Sequence, residues 1–229
     1  SQRNGRHSDY WFTFVNRVAE RIKESNPDKE LSTLAYMTHE AVPSFPLEDN
    51  VVVHFCFSTN RMPYRTDSYQ VQMDNYHEWL DTGTPLFMWM YNTFPREKAN
   101  NGNFFMFPGA FAHEAAEQIK YFHSTGLRGF FHCGWGDEVE NYLIYKLMDD
   151  PSLDTDAVLD EYFTRMYGPA GKPLHRMYAL MEEVYCNPDN YPPGAGHQNA
   201  DIAWNHLGTS ERIAKMQKWM DEAYELAET

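Results

Sequence analysis

The sequence predicts an α/β fold: parallel strands with interleaved helices, followed by a helical C-terminal region. Three observations carry that expectation. Four short apolar runs, at 31–37, 51–57, 85–91 and 127–135, are bounded by Gly, Pro, Asn or Asp and show no clean polar alternation. Continuous runs of that length suit strands buried on both faces of a parallel sheet. Helical periodicity separates most of the runs, and after Pro151 no strand signal returns.

The elements follow in order. Residues 9–26 place Tyr10, Trp11, Phe14, Val15, Val18, Ala19 and Ile22 on a helical stripe, with Ser8 as the expected N-cap and Asn26-Pro27 as the stop. Residues 68–81 carry Val71, Met73, Tyr76 and Trp79-Leu80 and end at Gly83; residues 110–124 carry Phe111, Ala115, Ile119 and Phe122 and end at Gly126. Both glycines suit a left-handed C-terminal cap. A further helix is expected over 138–149. The link 38–49 is too short for an ordinary crossover helix with its turns, which is the weak point of the sheet. Helices are then expected over 154–167, 173–185 and 210–227, with a Pro- and Gly-rich loop at 187–198. The expected division is an α/β part, 1–150, and a helical extension, 151–229, packed on it.

Composition narrows the function. The 229 residues are 42% apolar and 16% aromatic, enough for a large buried core and too apolar for disorder. No stretch approaches the roughly 20 apolar residues of a membrane span. With 19 Lys and Arg against 33 Asp and Glu, the net charge of −14 repels phosphate backbones and anionic membranes. Neither nucleic acid nor membrane insertion is expected. Cys56, Cys133 and Cys186 form no CxxC and define no disulfide framework. The chain opens on Ser1 with no signal peptide, which reads as a cut edge: an artificial boundary, a processing site or a missing segment.

Ligands of parallel α/β folds bind at the carboxyl ends of the strands. After the first run stand Tyr36, His39 and Glu40; after the second, Asn60; at the end of the third, Trp89, Tyr91 and Asn92; after the fourth, Trp135, Asp137 and Glu138. Large aromatics stack on the C–H faces of sugar rings, and planar polar groups take the hydroxyls. A carboxylate pair flanking a glycosidic bond supplies the acid and the nucleophile or base. Glu40, Asp137 and Glu138 are therefore the candidate catalytic residues. Tyr36, His39, Asn60, Trp89, Tyr91, Asn92 and Trp135 are the candidate substrate-binding ones.

Plainer roles stand beside each. Asp137 and Glu140 fit a capping box opening the helix at 138, with Glu140 reaching back. Glu40 fits a solvated loop, Trp89 and Trp135 core packing, and His54 and His132 hydrogen-bonded core positions. The run His113-Glu114-Ala115-Ala116-Glu117 lacks the second His of a helical zinc motif, so no zinc protease is expected. His39, His54, His132 and Cys133 leave a metal-dependent hydrolase as an alternative, although their spacing is not specific. No phosphate-binding Gly loop and no Gly-x-Ser-x-Gly occurs, and no cofactor is expected.

One further pattern is specific. The run Ser8-Asp9-Tyr10-Trp11-Phe12-Thr13-Phe14-Val15-Asn16-Arg17-Val18-Ala19 is followed by Leu34-Ala35-Tyr36, Pro43 and Asn50-Val51-Val52-Val53. Later come Gly126-Leu127-Arg128-Gly129-Phe130-Phe131, Tyr142-Leu143-Ile144-Tyr145-Lys146-Leu147 and Asp150-Pro151-Ser152-Leu153-Asp154. Together these resemble domain of unknown function 4838, a family related to glycoside hydrolase family 163, over residues 8–169. The resemblance implies the C-terminal half of a TIM-type (β/α)8 glycosidase barrel, its four parallel strands followed by a helical region. It implies endo-β-N-acetylglucosaminidase-like action on N-acetylglucosamine-containing glycans by a bacterial protein. It also implies export to the periplasm, cell surface or medium. The partner is then an oligosaccharide or glycoprotein glycan, with an N-terminal part of the same protein preceding Ser1. The resemblance assigns no catalytic role to Glu40, Asp137 or Glu138. A glycan-binding or scaffold module without turnover is the alternative.

Overall fold

Four parallel strands form one sheet in the order β1-β2-β3-β4, with β1 Leu31–Ala35, β2 Val51–Ser58, β3 Leu86–Tyr91 and β4 Phe130–Cys133. Each lies within its expected apolar run except for Ser58, one residue beyond the second. The computed structural model describes residues 7–58, 66–91, 105–133, 138–195 and 198–227. Helix α1 Ser8–Ser25 precedes β1, and α2 Thr66–Asp81, α3 Ala112–Ser124 and α4 Glu138–Asp149 follow β2, β3 and β4. After them come α5 Thr155–Tyr167, α6 Gly171–Cys186 and α7 Ser210–Ala227, with a π-helical turn at Ile202–Leu207. No helix among the described residues is long and apolar enough to cross a membrane.

The register sorts side chains onto two faces, because partners across a parallel ladder point the same way. One face carries Val53, Phe55 and Phe57 of β2 beside Leu86, Met88 and Met90 of β3, all buried. It packs on helices: Phe55 lies 5.8 Å from the Tyr76 ring of α2, and Phe57 lies 5.1 Å from Phe122 near the end of α3. Phe12 of α1 meets Trp79 edge-on at 5.2 Å. The opposite face carries His54, Cys56 and Ser58, then Phe87, Trp89 and Tyr91, then Phe131 and Cys133. There β3 alternates, with Phe87, Trp89 and Tyr91 half-buried between buried neighbours. The expectation of burial on both faces holds for β2 and fails for β3. An apolar run reports hydrophobicity, not what lies above it.

The short β1–β2 link resolves differently from a helical crossover. After a single 3-10 turn at Met37–His39, the segment is strapped along α1. Asp9 accepts from the backbone N–H and hydroxyl of Ser44, Asn16 bonds the backbone at Pro46 and Glu48, and Lys23 pairs with Glu48 and Asp49. Side chains on one existing helix thus replace the missing crossover helix.

Gly83 (φ 70°) and Gly126 (φ 84°) hold the left-handed conformation expected of them at the ends of α2 and α3. Ser8 does not cap α1. His7 holds the N-cap position, and Ser8 is already helical and buried, its hydroxyl without a partner. Asp154 does cap α5, accepting from the Ala157 N–H at 2.8 Å.

The chain divides into two compact units, one of residues 1–58, 67–91 and 121–133, the other of 59–66, 92–120 and 134–229. The sheet belongs to the first; α4 to α7 and most of α3 belong to the second.

Candidate functional site

In the sheet unit, the carboxyl ends of β1, β2 and β3 bring together Tyr36, Glu40, Cys56 and Tyr91. Tyr36 follows β1, and its ring lies 6.0 Å from that of Tyr91 at the end of β3. The Tyr91 hydroxyl interacts with that of Tyr36 and with the Cys56 thiol on the neighbouring strand. Burial, followed by Cys56 and Tyr36, pushes the Tyr91 hydroxyl above the ordinary phenol range, so it stays protonated and able to donate. Burial pushes the Cys56 thiol up to about 12, which removes it as a nucleophile at neutral pH.

Glu40 is half-buried and held from α2. Asn75 Nδ2 donates to its Oε1 at 2.6 Å, and Trp79 Nε1 donates to its backbone carbonyl at 2.7 Å. This is not the free solvated loop carboxylate of the plainer reading. Asn75 was not among the candidates, yet it is only 5% exposed. Its signal was an amide on the buried stripe of α2 between Met73 and Tyr76. The chain reaches Glu40 through Met37, whose φ of 49° is left-handed. That conformation turns the backbone sharply where β1 ends.

The other candidates divide. Trp89 stacks on Phe131 at 4.0 Å, a packing contact on the half-buried face, and its Nε1 is buried without a partner. His39 lies 4.8 Å from the Trp11 ring of α1, and burial lowers its pKa. Glu138 lies in the helical unit, in the first turn of α4, and interacts with the Tyr162 hydroxyl. Asn60, Asn92, Trp135 and Asp137 lie outside the described residues. His54 stacks on Phe87 at 5.0 Å, whereas His132 is in register with Met90 on the opposite face. His54 is not the hydrogen-bonded core position expected: its Nδ1 is buried without a partner. Among the described residues, no three His, Cys, Asp or Glu side chains converge as metal ligands.

The helical unit holds a second polar cluster that the sequence did not suggest. Glu140 is 1% exposed; its Oε1 accepts from the Phe111 N–H at 3.0 Å and from the Tyr178 hydroxyl at 2.5 Å. Glu140 thus serves the N-terminus of α3, whereas the expected capping box with Asp137 lies outside the described residues. Tyr178 in turn takes the Ala112 N–H, and Glu182 takes that of His113 at 2.7 Å. Three successive donors that a helix start leaves without intrahelical acceptors are thus satisfied from α4 and α6, where negative charge also complements the helix dipole. His113, the first residue of the incomplete zinc motif, is bonded to Glu182 and Asp156, which raise its pKa to about 9. Burial raises that of Glu114 to about 7.

The sheet unit is thus an α/β parallel-sheet module with a tyrosine pair and an anchored carboxylate at its strand ends. Residues 1–179 match the family described as Domain of unknown function (DUF4838), and the chain belongs to that family. No curated protein and no solved structure matches it.

Proposed function

We propose that the chain is a glycoside hydrolase domain acting on N-acetylglucosamine-containing glycans through a carboxylate pair. The observation that carries this reading is the Tyr36–Tyr91 pair beside Glu40, an aromatic, donor-rich strand end next to an anchored carboxylate. The strand order supports it. Every strand adds on the same side of the last, as in half of a closing (β/α)8 barrel, with none of the reversal that marks a doubly wound sheet. The half-exposed face of Phe87, Trp89 and Phe131, with the unpartnered Trp89 Nε1 and His54 Nδ1, fits a barrel interior completed by strands from an N-terminal part of the same protein. The substrate class and an exported location come from the sequence resemblance, which is to a family read as related to glycoside hydrolase family 163.

The test is glycan release by a longer polypeptide carrying the preceding strands. Release of N-acetylglucosamine-terminated sugar from N-glycans or mucin-type glycans is expected, and no cleavage across a broad glycan panel overturns the reading. Glu40→Gln, Asp137→Asn and Glu138→Gln then locate the pair; full activity in all three moves it outside this chain. A carboxyl separation of about 5 Å leads to retention and one of roughly 6.5–9.5 Å to inversion.

A second reading, a glycan-binding module without turnover, is favoured by one observation: Glu40 and Glu138 each already engage a neutral partner, Asn75 and Tyr162. Calorimetric binding of oligosaccharide with no product formed selects it.

A further inference from the structure

The helical unit carries a separate place where a ligand fits. An open surface cleft of about 390 Å³ is lined by Lys172, His175, Arg176 and Ala179 of α6 and by Glu222 of α7. That volume lies in the range of small-molecule sites, roughly 300–1,000 Å³. The space exists because Ala179, one turn beyond Arg176 on the same side of α6, ends at Cβ.

The charge of the lining opposes that of the chain. Against a net charge of −14, the lining sets Lys172 and Arg176, with His175 beside them in the first turns of α6, against the single carboxylate of Glu222. Two are held in place. Arg176 Nη2 donates to both oxygens of Glu222 at 2.6 Å, and the guanidinium carbon lies 5.9 Å from the centre of the Trp219 ring. His175 stacks on Phe163 at 4.7 Å with 10° between planes, and its Nδ1 meets Asp160 at 2.9 Å. A ring anchored through Nδ1 keeps Nε2 available on its far side. Glu222 offsets Arg176, but Lys172 forms no ion pair among the described residues. Lys218 stands one turn before Glu222 and Glu183 one turn beyond Ala179, both outside the lining.

We propose that this α6–α7 cleft binds a small organic monoanion, a carboxylate on a body the size of one sugar ring. Lys172 takes the carboxylate, and the remaining N–H groups of Arg176 together with His175 Nε2 hold its hydroxyls. A neutral ligand leaves the ammonium of Lys172 without a counter-charge. Polyanions are opposed by Glu222, Asp160 and the negative field of the whole chain. An acidic sugar and a cyclic hydroxy acid share this chemistry. No residue of the strand-end site takes part, so the proposal stands or falls independently of glycan hydrolysis.

Isothermal titration calorimetry on the 229-residue chain, with glucuronate, quinate and glucose as ligands, tests it. Either acid is expected to bind at least about tenfold more tightly than glucose, the difference of one charge-assisted contact. Glucuronate binding alone identifies an acidic sugar, and quinate binding alone a hydroxy acid. Lys172→Glu is expected to weaken the acid about tenfold or more, and Lys172→Arg to preserve it. Ala179→Leu, a helix-compatible change on an exposed position, fills the cleft and should abolish binding while leaving the thermal midpoint in place. Failure of both acids to bind at about 20 mM, or glucose binding as tightly as they do, overturns the proposal. So does unchanged affinity in Lys172→Glu.

Discussion

Glu182 holds His113 at two points: its Oε1 accepts the backbone N–H at 2.7 Å, and its Oε2 meets ring Nδ1, also at 2.7 Å. With Glu182 only 8% exposed, these bonds form largely out of water. Glu182→Ala leaves a donor at the start of α3 unmatched and is expected to destabilise the helical unit by about 2–4 kcal/mol. Glu182→Gln keeps an acceptor for that N–H and should cost about half as much. Urea unfolding followed by circular dichroism measures both.

Protonation around the same helix sets a pH dependence. Glu114 has a value of about 7 in the folded chain against an ordinary 4.5, so between those limits the folded state holds a proton that the unfolded chain has released. Its contribution to stability falls as pH rises through that window. His113, at about 9 against 6.5, acts in the same direction between those values. The thermal midpoint should therefore be higher near about pH 5 than near about pH 8.5. Glu114→Gln should flatten the acidic part of the curve and His113→Gln the alkaline part.

Met37 has left-handed backbone and is 70% exposed. Replacing it with glycine removes the Cβ strain and sacrifices little burial. Met37→Gly is expected to stabilise the sheet unit by about 0.5–1 kcal/mol in a urea titration, net of the added chain entropy. A loss of stability would mean that the Met37 side chain contributes more than its exposure implies.

Gly171 begins α6 where the backbone passes against α5. A Cβ there would collide with the carbonyl oxygen of Phe163, a backbone atom with little freedom to move. Gly171→Ala should cost about 1–3 kcal/mol by chemical denaturation, although alanine is the better helix former.

The three thiols should differ in reactivity. Cys56 is 2% exposed and its pKa is about 12; burial, followed by Glu114 and Glu182, pushes that of Cys186 higher still. Alkylation of the folded protein near neutral pH, read by peptide mass mapping, should modify Cys133 first. Cys56 and Cys186 should react only after denaturation.

The positions of the strands and most helices were legible because they depend on local chemistry. Apolar runs between Gly, Pro, Asn and Asp are strands wherever a core lies beside them, and Gly83 and Gly126 stop helices by their own backbone freedom. The anchoring of the candidate site was not legible. Asn75 and Glu40 are 35 residues apart, and neither hints at the other until α2 packs beneath the strand end. Ser8 departs from the local cap its position suggests because it is already helical and buried, and the bond from Glu140 to the start of another helix has no local signature at all.

By itself, then, the sequence determined the α/β class, the strand runs, the membership in the family and the set of chemical groups at the strand ends. The tertiary structure decided which groups meet: Tyr36 with Tyr91, Glu40 with Asn75, and Glu140 and Glu182 with the N-terminus of α3. Secondary structure follows from side chains within a few residues of one another, so it can be read along the chain. Partnership between polar groups follows from burial, which forces each hydrogen-bonding atom to find whatever partner the fold brings near.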